Sequence, residues 1–217
     1  IAKIKDEVER LDLTDNTLSV FTSDNGPSRE SRNWLDGSQD PYYGGTSGGL
    51  KGHKFSLFDG GVKEPAIMHW PARIPAGQVI NQSCASMDIV PTVLEAVGVD
   101  SSQYEIDGSS LISHVVDGDD LIDRAIFWEM DGQTAVRRGK WKLVLDGQLV
   151  EDDEPIAAVH LSDVESDPGE TINLADSEPK ITAELKALAE NWRAEIEKRW
   201  EDEYSTEDYE YVAHGMV

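Results

Sequence analysis

Residues 18–27, Leu-Ser-Val-Phe-Thr-Ser-Asp-Asn-Gly-Pro, constrain the fold more than any other stretch of the chain. Leu18, Val20 and Phe21 are apolar and β-favouring, and Ser23, Asp24, Asn25, Gly26 and Pro27 then stop the strand abruptly. The pattern predicts a buried parallel strand that ends on Asp24 and Asn25. Open α/β sheets bind ligands beyond the carboxyl ends of such strands. Two neighbouring oxygen-bearing side chains at that point suit a hard cation such as Ca²⁺ or Mg²⁺. The same residues also suit an Asx turn that caps the strand, and the local pattern alone leaves both readings open.

The rest of the chain supplies helices and strands around this stretch. Ile1, Ile4, Val8 and Leu11 fall at helical spacing, so residues 1–11 read as the end of a helix packed on a sheet. Residues 27–49 are rich in Gly, Ser, Asp and Pro, with Arg29, Arg32, Trp34, Tyr42 and Tyr43 interspersed. They read as a long loop that either walls a substrate pocket or is irregular surface. Gly60 and Gly61 imply close backbone approach ahead of a buried strand at residues 66–70. Residues 88–97 form a helix, with Asp88 at the N-cap position, Pro91 early and Gly98 as the C-cap. Residues 99–123 read as a polar connection.

Four short β-like runs follow, at residues 125–128, 134–137, 141–145 and 158–161. Asp131-Gly132, Arg138-Gly139 and Asp146-Gly147 suit hairpin turns between them. Residues 179–200 then form an amphipathic helix with Ile181, Leu185, Leu188, Ala189, Trp192 and Ile196 on one face. The tail, residues 201–217, is acidic and carries Tyr204, Tyr209 and Tyr211, and poor order is expected there unless it docks on a neighbour. The fold class is α/β: the second half of a large mixed or parallel sheet flanked by helices, then a small C-terminal antiparallel sheet with a packed helix. The corresponding domains are residues 1–119 and 120–200, with residues 201–217 as the tail.

Charge narrows the function. The net charge is −24, and 29 of the 43 acidic residues lie after residue 100. Nucleic-acid binding needs a basic stripe, which this chain lacks. The acidity reads as a solvated surface, with an acidic interaction face as the alternative. No apolar run is long enough to span a membrane. Cys84 is the single cysteine, so no internal disulfide framework exists, and a buried, inert thiol is expected. The N-terminus reads as an amphipathic helix start rather than a signal peptide, and the sequence is expected to begin inside a longer protein.

Four motifs stand in register: Thr-Ser-Asp-Asn-Gly-Pro at residues 22–27, Gly-Leu-Lys-Gly-His-Lys at 49–54, Phe-Asp-Gly-Gly-Val-Lys-Glu-Pro at 58–65 and Trp-Pro-Ala-Arg-Ile-Pro-Ala-Gly at 70–77. Together they resemble the C-terminal half of the sulfatases, a family of the alkaline-phosphatase superfamily. Met-Asp-Ile-Val-Pro-Thr-Val-Leu at 87–94 and Asp-Pro-Gly-Glu-Thr-Ile-Asn-Leu at 167–174 extend the likeness to roughly residues 15–195. The early Cys/Ser-x-Pro-x-Arg motif of that family, whose first residue becomes formylglycine, is absent from this chain, as is the early Asp pair.

The resemblance implies a sulfuric ester hydrolase whose nucleophile comes from an N-terminal half, with a sulfate ester as substrate. Asp24 and Asn25 then bind Ca²⁺, or Mg²⁺, and Lys54 contacts the sulfate. His53 is a weaker candidate for general acid. Asp59 replaces the family's more frequent Glu and is expected to hydrogen-bond backbone in its turn. Lys63 and Arg73 read as structural or surface charges, the Asp167–Glu170 turn as structural, and His69, His114, His160 and His214 take no role. A periplasmic or extracellular location follows from the resemblance alone. The alternatives are a phosphodiesterase or phosphonate hydrolase of the same superfamily, which usually shows Asp-His where this chain has Asp24-Asn25, and a non-catalytic fragment with an exposed sheet edge.

Overall fold

The computed structural model describes residues 1–29, 45–151 and 154–203. In chain order the elements are α1 (Ala2–Arg10), β1 (Ser19–Thr22), the single turn α2 (Asp59–Val62), β2 (Ala66–His69), α3 (Ile89–Ala96), α4 (Ile112–Asp117), β3 (Ile126–Met130), β4 (Gln133–Arg138), β5 (Trp141–Leu145), β6 (Val159–Asp163) and α5 (Pro179–Glu203). Short 3₁₀ turns precede β1 and α3 and follow α3. The chain divides into two compact units, Ile1–Gly26 with Lys63–Ile126 and Pro27–Val62 with Phe127–Val217. Each unit therefore takes two chain segments, where the sequence reading used consecutive ranges.

In the first unit β1 and β2 pair antiparallel, Ser19 opposite His69 and Thr22 opposite Ala66. This corrects the expected parallel neighbour for β1. It also corrects the expected burial: Phe21 is 51% exposed and Ile67 61% exposed, and of residues 66–70 only Trp70 is buried. A two-stranded ribbon covers neither of its own faces, so apolar side chains on it stay open unless a further layer packs there. The apolar residues of α1 follow suit. Ile1, Ile4 and Leu11 are exposed rather than packed on a sheet, and α1 buries no residue.

The helix after the Trp70 turn forms as expected, from Ile89 to Ala96. Gly98 takes φ +77°, its N–H donates to Glu95 O at 3.0 Å, and the Val99 N–H donates to Leu94 O at 2.8 Å. This pair of bonds is a Schellman cap. The carboxylate of Asp88 does not cap α3. It accepts from Ala85 N at 2.7 Å and Ser109 N at 2.8 Å and pairs with Arg124, tying three loop segments together while fully buried. Thr92 Oγ1 continues the network by accepting from Leu111 N at 2.9 Å. Residues 99–123 are not simply a polar connection, because α4 buries Ile112 and Val115 there and ends on Gly118 at φ +78°.

The second unit holds the small sheet, in the order β3-β4-β5-β6, with β4–β5 and β5–β6 antiparallel. Asp131 and Gly132 both take positive φ, as a tight primed turn between right-twisted strands requires. The Asp146-Gly147 step is not a hairpin. The connection from β5 to β6 is longer, closed by Asp146 N to Ala158 O at 3.2 Å and Ile156 N to Gly147 O at 2.9 Å. Gly147 is needed there for packing, since a Cβ would fall 2.7 Å from the Phe58 ring. Leu57, Phe58, Ala135 and Val144 form the core of this unit, flanked by Val62, Trp128 and Leu149.

Helix α5 covers the sheet as expected. Leu185 and Ala189 are buried, Trp192 stacks on Phe127 with ring centroids 5.1 Å apart, and Arg193 donates to Thr134 Oγ1 at 3.0 Å. The covering face stops at Trp192, because Ile196 and Trp200 are exposed. Most of the loop at 27–49 and the tail from residue 204 lie outside the described residues, including Arg32, Trp34, Tyr42, Tyr43, Tyr204, Tyr209, Tyr211 and His214.

Candidate functional site

Asp24 and Asn25 sit just beyond the end of β1, in the first unit. Asp24 is exposed, Asn25 half-buried and Gly26 buried. Ser23 Oγ donates to Asn25 O at 3.0 Å, and Asn25 Nδ2 donates to Gly26 O at 2.9 Å. The Asn25 carboxamide oxygen is a neutral oxygen donor of the kind a hard cation takes. Glu64 of the same unit is half-buried, and burial and then the nearby Asp24 charge hold its carboxyl above the ordinary carboxylate range. The donors here are hard oxygens of the kind that Ca²⁺ and Mg²⁺ select. They fit such an ion in kind and not in number: a six- to eight-oxygen shell needs donors beyond these, and no group of three or more His, Cys, Asp or Glu that could hold a metal occurs among the described residues.

Lys54 and His53 lie in the second unit, on a segment that is anchored at many points. Gly60 N donates to Lys51 O at 2.7 Å, closing the segment into a loop. His53 N donates to Leu149 O at 3.1 Å and Lys54 N to Pro27 O at 3.1 Å. Ser56 Oγ donates to Gln148 O at 2.6 Å, and Gln133 Nε2 donates to Phe55 O at 2.8 Å. Phe55, directly after Lys54, takes φ +74°, a conformation that costs a bulky residue on the order of 1–3 kcal/mol and persists only where the surroundings enforce it. Lys54 Nζ lies 5.3 Å from the Phe55 ring centroid. Burial, and then Arg29, lower the pKa of His53, so its ring is neutral at pH 7. A neutral imidazole suits accepting a proton better than donating one.

Below this loop lies a buried charge cluster that sequence reasoning missed. Lys142 from β5 is 0% exposed, Glu170 0% and Asp59 2%. Lys142 Nζ is 2.6 Å from Asp59 Oδ1 and 3.5 Å from Glu170 Oε1. Asp59 therefore pairs with a lysine, where a backbone partner in its own turn was expected, and it is the Asp59 N–H that bonds elsewhere, to Glu170 Oε2 at 2.6 Å. Burial raises the Glu170 carboxyl, while Lys142 pulls it down. Lys142 sits in Trp-Lys-Leu-Val-Leu, and a lone cation inside a β-like apolar run was the available signal. His160 is buried and edge-on to Phe58 at 5.1 Å, and burial and then the Lys51 charge lower its pKa to about 4. Cys84 is exposed, not buried, with its thiol pushed up by desolvation and by Asp88.

Two family models match the chain: the sulfatase model over residues 1–99, and the model described as N-sulphoglucosamine sulphohydrolase, C-terminal, over residues 52–198. An N-acetylgalactosamine-6-sulfatase of Canis lupus familiaris is 38% identical over 144 residues, covering 65% of this chain and 26% of that protein. Arylsulfatase A of Homo sapiens is 31% identical over 204 residues, covering 82% of this chain and 38% of its own length. The chain thus spans between about a quarter and two fifths of these relatives. The fold is shared with the crystal structure of the PsFucS1 sulfatase from Pseudoalteromonas sp., at a TM-score of 0.68 and 22% identity over 91% of this chain and 40% of that one. The ordered motifs, the mixed α/β architecture and these matches agree, and the chain belongs to the sulfatase family, within the alkaline-phosphatase superfamily.

Proposed function

We propose that this chain is the C-terminal portion of a sulfuric ester hydrolase that cleaves sulfate monoesters with a divalent cation and a nucleophile supplied by an N-terminal half. The observation that carries this reading is the end of β1, where an exposed carboxylate is followed by a carboxamide whose nitrogen is held by Gly26. Asp24 and Asn25 would hold Ca²⁺, or Mg²⁺, through oxygen. A cation so held neutralises charge on sulfuryl oxygens. Asn25 in place of imidazole favours a hard cation over Zn²⁺.

Within this reading Lys54 binds the sulfate group and stabilises the negative charge that develops as the ester bond breaks. Its backbone is fixed by Pro27 O, and the strained Phe55 follows it, so the ammonium group is held on a rigid support. His53, neutral at pH 7, accepts a hydrogen bond or a proton rather than protonating the leaving alcohol. Arg29 and the loop that follows it contribute to substrate selection.

The test is turnover of an aryl sulfate and an aryl phosphate by the full-length protein, before and after chelation and readdition of Ca²⁺. Sulfate hydrolysis that collapses on chelation, and in Asp24→Ala and Lys54→Met, supports the reading. Faster turnover of the phosphate would move the protein to the phosphodiesterase and phosphonate hydrolase branch.

A further inference from the structure

The segment that carries His53 and Lys54 is held at both ends by one residue. Glu170 accepts Lys51 Nζ on its backbone carbonyl at 2.9 Å, and its Oε2 accepts the Asp59 N–H at 2.6 Å. Lys51 and Asp59 bracket Lys54. Glu170 itself takes φ +48°, so its carbonyl and carboxylate are both committed by a conformation that non-glycine residues seldom adopt. Lys142 completes the clamp through Asp59 Oδ1 at 2.6 Å. The loop base has no slack, since a Cβ on Gly60 would fall 2.2 Å from Gly52 O and one on Gly61 2.1 Å from Ser56 O.

Three charges buried this deeply are an expensive way to hold a turn. A well-packed apolar cluster is commonly as stable as a buried ion pair or more so, which leaves geometric specificity as the use that explains the charges. A carboxylate fixed by one ammonium and one N–H sets direction as well as distance. Apolar contacts do not.

We infer that Lys142 and Glu170 are positioning residues that aim Lys54, so that the small C-terminal sheet sets the geometry of the sulfate-binding lysine. The inference rests on the proposed role of Lys54. Neither residue touches substrate in this scheme. They act through the Lys51–Gly60 closure and the fixed Asp59 turn.

The test is a double-mutant cycle in the full-length protein, with kcat and KM for an aryl sulfate measured per folded molecule. Lys142→Met is combined with Lys54→Met, and Glu170→Gln, which keeps an acceptor for the Asp59 N–H, runs as the milder second variant. Displacing a catalytic group by about 1 Å costs on the order of 10²-fold, so Lys142→Met is expected to lose about that factor in kcat/KM. The same substitution is expected to cost nothing further once Lys54 is Met, because coupled residues are not additive. Lys142→Arg is expected to recover part of the loss.

An equal loss from Lys142→Met in both backgrounds would overturn the inference, as would a lowered melting temperature with kcat/KM intact. If Lys142→Met does not fold, Glu170→Gln decides by the same comparison. Full activity of Lys54→Met would overturn the role of Lys54 itself, and is thereby told apart from failure of the positioning role.

Discussion

Removing the Lys142 charge should produce a stability loss that depends on pH. Lys142→Met removes the cation that lies between Asp59 and Glu170, both almost wholly buried, and leaves Lys51 near Glu170, on its backbone carbonyl. Breaking one partner out of a buried ion pair costs about 3–5 kcal/mol. Native stability is only about 5–15 kcal/mol, so this loss is a large share of the total. Burial already raises the Glu170 carboxyl above its ordinary value of 4.5, and Lys142 opposes that rise. A carboxyl raised by folding binds more protons folded than unfolded, so stability falls as pH climbs through the window between its unfolded and folded values. Without Lys142 the folded value moves higher and the window widens upward. The penalty should therefore be largest near pH 8 and shrink toward pH 5, where one carboxyl takes up a proton, with a slope of at most ~1.4 kcal/mol per pH unit for a single proton. Urea unfolding of parent and variant at several pH values measures this directly. A penalty that does not change with pH, or one under about 1 kcal/mol at pH 8, would show that the three charges are not coupled as their distances imply.

Gly60→Ala should misplace the Lys54 loop, because the new Cβ would meet Gly52 O at 2.2 Å and Lys51 O at 2.5 Å, and backbone atoms cannot swing aside. Overpacking of this kind costs about 1–3 kcal/mol and should lower both the melting temperature and aryl sulfate turnover. His160, with a pKa lowered by burial to about 4 from 6.5, is neutral in the folded state. Its stabilising contribution is full above the unfolded value and is lost as pH falls from about 6.5 toward 4. His160→Phe should flatten that acid limb relative to the parent in melts between pH 7 and 4. Gly147→Ala should destabilise the second unit through contact with Phe58 and Val144, each 2.7 Å from the added Cβ, read as a lower urea midpoint.

Local pattern was sufficient for α3 with its Gly98 cap, the Trp141–Leu145 strand, the Asp131-Gly132 turn and the inner face of α5 as far as Trp192, though not for Ile196, which is exposed. These are set by period, turn chemistry and capping, which act over a few residues. Ile112, Val115 and Val116 carry helical spacing across residues 112–117, but the surrounding Asp, Ser and Gly turn signals outweigh so short a pattern, and the helix is evident only in the fold. The order of motifs from Asp24 to Asn173 was also visible, and with it the family.

Other features needed the tertiary structure. Phe21 and Ile67 read as core from their composition, yet burial depends on what covers a sheet face, and no strand carries that information alone. Asp59, Lys142 and Glu170 lie far apart in sequence, and although the apolar run around Lys142 marks that lysine, nothing in residue order pairs it with a turn acid and a loop acid. Folding the second unit brings them within hydrogen-bonding reach in a dry interior, where a charge must find its partner or lose its charge. The sequence by itself therefore determined most of the elements and the family, and it singled out Asp24, Asn25 and Lys54 as candidates. Only tertiary structure decided which buried charges clamp the Lys54 loop, because desolvation and pairing are properties of a packed interior and not of residue order.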